Sequence, residues 1–390
     1  MKKIIKNIIH QKLANKKSTF LFIQNINRDP SMPNQKKAIM AYLTNPFELG
    51  YDIENSFHTN QIECIQILNI LIDMKFSVDI SHCLDNTSLD KVSENKYDLV
   101  FGLGELFHNL CKINKRATKI LYCAEAHPSF LRKKEQERLD YYFERKGVVE
   151  KSRRTNTYYK EKYFKYANNI IYKGNTYNKK SFSSLENMNF ILPISPAPFT
   201  NNDYKYTKKN HTETKKKFIW FGSLGAIHKG LDILVDVFKN NQNLSLFICG
   251  LDKSEEYLFS KLPNNIKNIG HVNINSEKYL NLINKCSFVI MPSCCEGMSS
   301  GVITSMNHGL IPIISKECGI DLNHEDLYIN KFSVDYLEKK ILKYSKLEAK
   351  KLNAINDSIF KETRKKHSIN NFKKQMIKNI QTCFNNFDQS

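Results

Sequence analysis

The feature that most constrains this chain is an alternation between residues 217 and 314. Short apolar runs at 218–221, 244–249, 269–272, 288–291 and 311–314 are separated by helix-length stretches at 231–238, 255–262, 277–286 and 301–308. Runs this short and this apolar fit strands buried on both faces, and helices between them force the strands to lie parallel. The half before residue 197 repeats the theme less cleanly. Strands are expected at 20–24, 38–43, 77–81, 98–102, 119–123, 169–172 and 190–193, with an apolar helix at 61–75 and a polar one at 127–145. Residues 198–216 are polar and aperiodic, which reads as a linker. The expected division is therefore 1–197, a linker at 198–216, a second domain at 217–365, and a last helix at 366–390 that returns toward the first domain. The fold class is α/β, with two doubly wound Rossmann-like domains facing across a cleft. In such sheets ligands sit outside the carboxyl ends of the strands.

Charge narrows the partners. There are 59 basic and 39 acidic residues, a net charge of +20. Lys2, Lys3, Lys6, Lys12, Lys16 and Lys17 precede any acid, and Ile4, Ile5, Ile8, Ile9 and Leu13 gather near one helical face. Two readings stand for that segment: a helix resting on an anionic membrane surface, or a solvated one. Lys6, Asn7 and His10 break the apolar run, so it is not read as a signal peptide. No RNA- or DNA-binding motif accompanies the charge, and nucleic acid is not an expected partner. The ten cysteines lack paired spacing, which points to reduced thiols and a cytoplasmic location, peripheral to the membrane on the first reading of the N-terminus. His and Cys never fall at metal-ligand spacing, and neither metal nor cofactor is expected.

Three motifs carry chemistry. Gly222 follows an apolar strand and lets backbone approach a ligand closely, with Ser223 beside it. Lys229 precedes Gly230 and a helix, placing a cation where phosphate oxygens would lie, although a tight turn with a solvated lysine fits the same residues. The string Pro292-Ser293-Cys294-Cys295-Glu296-Gly297 runs into Ser299, Ser300 and Gly301 at the start of the next helix. Amides there suit a phosphate, and Glu296 either accepts sugar hydroxyls or caps the helix. Gly102-Leu103-Gly104 also follows a strand, but Phe107 stands where a dinucleotide fingerprint needs its third glycine.

Taken in order, these landmarks resemble a retaining GT-B glycosyltransferase of family four, over about residues 217–321. They are Gly222 to Lys229-Gly230, the strand ending at Gly250, Gly270-His271-Val272, and Pro292-Ser293 before Glu296-Gly297. The resemblance implies a metal-independent enzyme using a UDP- or GDP-linked sugar. It places Lys229 on the diphosphate, Glu296 and Gly297 on the donor sugar, the 299–301 amides on phosphate, and Gly250 and His271 near base and ribose. Two departures stand out: Ser223 replaces the usual arginine, and Thr304 replaces a second glutamate. Glu317 is a candidate compensating carboxylate. The acceptor side is expected at His58, Asn60, Glu125 and His127, with His127 counted beside Glu296 and Lys229 as catalytic. The basic run at 132–165 either meets an anionic lipid-linked acceptor or is a solvated helix. The expected activity is transfer to a glycan or lipid-linked acceptor in bacterial surface polysaccharide synthesis. A nucleotide-sugar epimerase and a catalytically degenerate scaffold are the alternatives.

Overall fold

The computed structural model describes residues 21–48, 59–92, 94, 96–154, 158–197 and 209–385. The basic segment 1–17, His58 and most of the expected linker lie outside the described residues.

The first sheet holds β1 (Phe22–Ile26), β2 (Lys37–Tyr42), β3 (Ser77–His82), β4 (Leu99–Gly102), β5 (Thr118–Cys123), β6 (Asn169–Lys173) and β7 (Phe190–Ile194), in the order β1-β3-β2-β4-β5-β6-β7. All pairings are parallel except β1 with β3. β2, β4 and β5 lie inside the sheet and are buried almost throughout, as strands covered on both faces must be. The strand expected at 20–24 sits two residues later. Its antiparallel register slips between Ile23 and Ile26, where Asn25 and Asn27 take left-handed φ values of 58° and 61°.

Counting helices of eight residues or more, this body contains α1 (Thr59–Asp73), α2 (Gly104–Ile113) and α3 (Pro128–Lys146). α2 was not anticipated. Gly104 begins it, and Phe107, the residue that spoils the dinucleotide fingerprint, is core packing beside Leu106 and Leu110.

The second sheet runs β10 (Ile266–Gly270), β9 (Ser245–Cys249), β8 (Lys217–Phe221), β11 (Phe288–Met291), β12 (Ile311–Ser315) and β13 (Tyr328–Ile329), all parallel. Around it lie α4 (Leu231–Asn240), α5 (Glu277–Asn284), α6 (Ser300–Asn307), α7 (Val334–Ser345) and α8 (Ala349–Lys366). The helix expected at 255–262 is a 3-10 segment, Lys253–Phe259. Its Glu255 turns inward to accept the Gly225 and Ala226 N–H groups at 2.7 and 3.0 Å.

The last helix, α9 (Ile369–Asn385), lies on the first sheet rather than the second. Gln375 Oε1 accepts the Ser195 N–H at 2.9 Å, Asn379 donates to the Pro193 carbonyl at 3.0 Å, and the Phe384 ring packs on Phe76.

α3 joins the two bodies. Arg138 donates to the Pro292 carbonyl at 2.9 Å and lies over the Phe332 ring, while Arg145 pairs with Asp232 and Asp236 of α4. These arginines face protein, so the expectation of a solvated or lipid-facing run is corrected there. A second seam pairs Asn175 with Asp321 at 2.7 Å and Asn178 Nδ2 with the Glu296 carbonyl at 2.7 Å.

Candidate active site

A cleft of about 450 Å³ opens between the two sheets at their carboxyl ends. The first body contributes Tyr42 at the end of β2 and Leu43 after it, Leu103 after β4, Ala124 and Glu125 after β5, Lys173 at the end of β6, and Asn60 on α1. The second contributes Gly222 and Ser223 after β8, Gly250 after β9, His271 after β10, and Lys229, Glu296, Ser299, Ser300, Gly301 and Thr304. Strand ends thus supply both walls.

The second body's wall is built on one buried indole. Trp220 is fully buried and donates from Nε1 to the Lys229 carbonyl at 3.2 Å. A Cβ on Gly222 would lie 2.1 Å from the Trp220 ring, so the wall closes over the indole only with glycine there. Glycine at 222 therefore serves packing as much as ligand access.

Lys229 and Glu296 meet across this wall. Lys229 Nζ donates to Glu296 Oε1 at 2.5 Å, and Ser293 Oγ donates to the same oxygen at 2.9 Å. Burial alone would raise the Glu296 carboxyl. The charges of Lys229 and Arg154 overcome it and hold the pKa at about 2. Glu296 is thus a carboxylate, an acceptor ready for hydroxyl donors. His228, next to Lys229, is buried and held neutral with a pKa of about 3, chiefly by desolvation.

The first turn of α6 points its N–H groups, which have no intrahelical acceptor, toward the same space. One expected amide is already engaged: the Ser299 N–H donates to the Cys318 carbonyl at 3.0 Å. Ser300 and Gly301 remain at the mouth of the helix. Thr304 is buried one turn further and lines the floor.

Several expected residues lie elsewhere. His127 does not line the cleft. It occupies the N-cap position of α3, its ring lies tilted with its centroid 4.7 Å from that of Phe164, and Nδ1 shares a hydrogen bond with Ser129 at 2.8 Å. Desolvation lowers its pKa, which suits a neutral packing histidine. Gly297 is a body-to-body contact: a Cβ there would lie 2.1 Å from the Ala124 carbonyl oxygen. Glu317 accepts from the Tyr177 hydroxyl at 2.9 Å and is not part of the lining, so it does not replace the missing glutamate. Asn60 and Glu125 do face the cleft.

Two features escaped the sequence. Arg154 lines the cleft with Glu125 as its ion-pair partner at 2.5 Å. Beneath the first body's wall, the fully buried Glu63 of α1 takes Lys173 Nζ at 3.1 Å, the Tyr122 hydroxyl at 3.1 Å and the Tyr42 hydroxyl at 3.4 Å. Glu63 sits in a run that otherwise reads as plain apolar helix, and no local spacing announces its partners. Among the described residues, no group of three His, Cys, Asp or Glu stands ready for a metal ion, and no helix is long and apolar enough to cross a membrane.

No curated protein matches the chain at a significant level. Solved structures do resemble it. HepE of Anabaena, solved with UDP and glucose, superposes with a TM-score of 0.58 at 11% identity, over 90% of this chain and 100% of that one. The sucrose-phosphate synthase of Thermosynechococcus elongatus gives 0.60 at 11% identity, with the same coverage. The UDP-forming trehalose-phosphate synthase of Burkholderia xenovorans gives 0.53 at 9% identity, over 90% of this chain and 99% of its own. The likeness extends over both bodies and establishes the GT-B architecture. Residues 203–362 also match the family profile of glycosyl transferases group 1. The second body is accordingly similar to glycosyl transferases group 1, in a chain with the GT-B fold.

Proposed function

We propose that this chain moves a sugar from a nucleoside-diphosphate donor to a glycan or lipid-linked acceptor, as a retaining, family-four-like enzyme of bacterial surface polysaccharide synthesis. The observation that carries the reading is the Lys229–Glu296 pair beside the first turn of α6, on the cleft wall made by the ends of β8, β9 and β11. A cation, helix-end amides and a carboxylate are the three parts that a diphosphate sugar needs. UDP is the favoured leaving group, because the similar HepE and trehalose-phosphate synthase structures are described as UDP-bound and UDP-forming.

In this scheme the bond between the anomeric carbon and the diphosphate oxygen breaks, and its electron pair leaves with the diphosphate. Lys229 and the amides of Ser300 and Gly301 stabilise that charge as it develops. Glu296 accepts hydroxyls of the donor sugar and orients the ring. The acceptor oxygen, approaching from the Asn60 and Glu125 wall, bonds to the anomeric carbon on the face that the diphosphate leaves. Its proton passes to the departing phosphate oxygen. No metal is required, since the protein itself supplies the positive charge. The ten buried thiols, all free, accord with a cytoplasmic setting.

The deciding experiment is a thermal-shift screen with UDP, GDP, CMP and ADP and their sugar conjugates, followed by nucleotide-release assays with lipid-linked acceptors. A ligand that binds only the folded protein raises the midpoint. A rise with one diphosphate that disappears in Lys229→Ala supports the reading. No rise with any nucleotide, together with no release, sinks it.

A further inference from the structure

A nucleoside diphosphate brings about two negative charges into a partly dry cleft, where each needs a counter-charge. The second body offers it one lysine among the described lining residues, Lys229, and that lysine is already matched by Glu296. Ser223, at the turn after β8, offers only a hydroxyl. Two further cations line the cleft, and both come from the first body: Lys173 and Arg154. Lys173 is tied to the buried Glu63.

Arg154 is placed differently. Its chain segment is pinned, because the Arg153 and Arg154 N–H groups donate to the buried Glu135 at 3.1 and 3.3 Å and Ser152 Oγ donates to it as well. From there the side chain crosses to the donor wall. Its Cδ lies 3.4 Å from where a Cβ on Gly225 would stand, against the turn that follows Gly222 and Ser223. One guanidinium nitrogen holds Glu125 at 2.5 Å, while Nε is buried with no hydrogen-bond partner. The charge is close enough to act on Glu296 across the cleft. A planar fork with an unused N–H, leaning on a glycine turn, is well suited to a phosphate.

We infer that Arg154 is the second phosphate-binding cation of the cleft, delivered to the donor's diphosphate from the opposite body. The inference rests on the donor site proposed above. Donor binding then spans both bodies and favours the closed cleft. As the guanidinium turns from Glu125 to phosphate, the Glu125 carboxylate is released to face the acceptor.

The test is calorimetric titration of the full-length protein with UDP and GDP, and with UMP and GMP, for wild type, R154Q, R154K, E125Q and K229A. The expected result is that R154Q weakens the diphosphate about tenfold while leaving the monophosphate within about twofold. R154K recovers part of the loss, and E125Q, which removes the competing carboxylate, tightens diphosphate binding. If K229A weakens binding but R154Q binds as wild type does, this inference fails and the donor site stands. If E125Q weakens binding as R154Q does, the pair is structural and the inference is overturned. If wild type binds neither diphosphate, the donor site itself is wrong and the inference falls with it.

Discussion

Lys229 Nζ and Glu296 Oε1 stand 2.5 Å apart, joining the turn before α4 to the loop after β11. Both side chains are nearly buried, so each neutralises the other. Removing one partner of such a pair leaves an uncompensated charge, which costs about 3–5 kcal/mol. Lys229→Ala should therefore lower stability by roughly that amount and also weaken donor binding. The double variant Lys229→Ala with Glu296→Ala should recover most of the stability and none of the binding. Chemical denaturation and titration of the three variants separate the two effects, and additive stability losses would mean that the pair does not interact.

Acid should destabilise the protein in two stages. His211, His308 and His367 have pKa values of about 4 and His228 about 3, each lowered first of all by burial. Unfolded histidines protonate near 6.5, so the unfolded chain binds more protons below that pH and stability falls as pH drops. Glu296 adds a later stage. Its contribution is complete above the ordinary 4.5 and is lost as pH falls toward 2. Thermal midpoints should decline steadily below pH 6.5, with a shallower slope in His367→Gln. A flat profile between about pH 7 and pH 5 would contradict the neutral buried histidines.

Gly297→Ala tests the seam between the bodies. The added methyl would meet the Ala124 carbonyl at 2.1 Å, and a backbone atom cannot yield as a flexible side chain can. Overpacking of this kind costs about 1–3 kcal/mol. Here the strain has an outlet, because the bodies can separate. Small-angle scattering should show a larger radius of gyration, and transfer should fall while each body stays folded. An unchanged radius with unchanged turnover would remove Gly297 from the seam.

Lys173→Met tests the polar cluster under the first body's wall of the cleft. It leaves the fully buried Glu63 with tyrosine hydroxyls but no cation, at about 3–5 kcal/mol. Denaturant titration should show that loss, and Lys173→Met combined with Glu63→Met should restore part of it.

Turnover should be insensitive to EDTA if, as proposed, Lys229 and the α6 amides carry the leaving-group charge. Loss of activity in EDTA, restored by magnesium or manganese, would show that protein groups alone do not suffice.

The legible part of this chain was the part set by periodicity and local chemistry. Four apolar runs in the second half became β8, β9, β11 and β12, while the strand expected at 269–272 sits three residues earlier as β10; Lys229, Glu296 and the serines before α6 came together because each follows a strand end. The obscure part depended on contacts distant in sequence. Arg154 reads as one more basic residue in a charged run, and only the path back from α3 brings it to the cleft. His127 has the composition of a site residue, yet Phe164 and Phe182 claim its ring. Gly297 lies inside the motif that carries the resemblance, and its neighbour Ala124 is in the other body. α2 went unseen because Gly104, usually a helix breaker, begins it.

The end of the chain has a mechanical consequence. The polypeptide leaves the first body after β7 and returns to it between α8 and α9, so the two bodies are tied twice. The ties are adjacent: Ser195 Oγ and His367 Nδ1 are 2.6 Å apart. Two strands fastened at one place act as a pivot, which permits rotation and resists sliding. Any opening of the cleft would therefore swing about that knot, and the cleft's far rim would travel furthest.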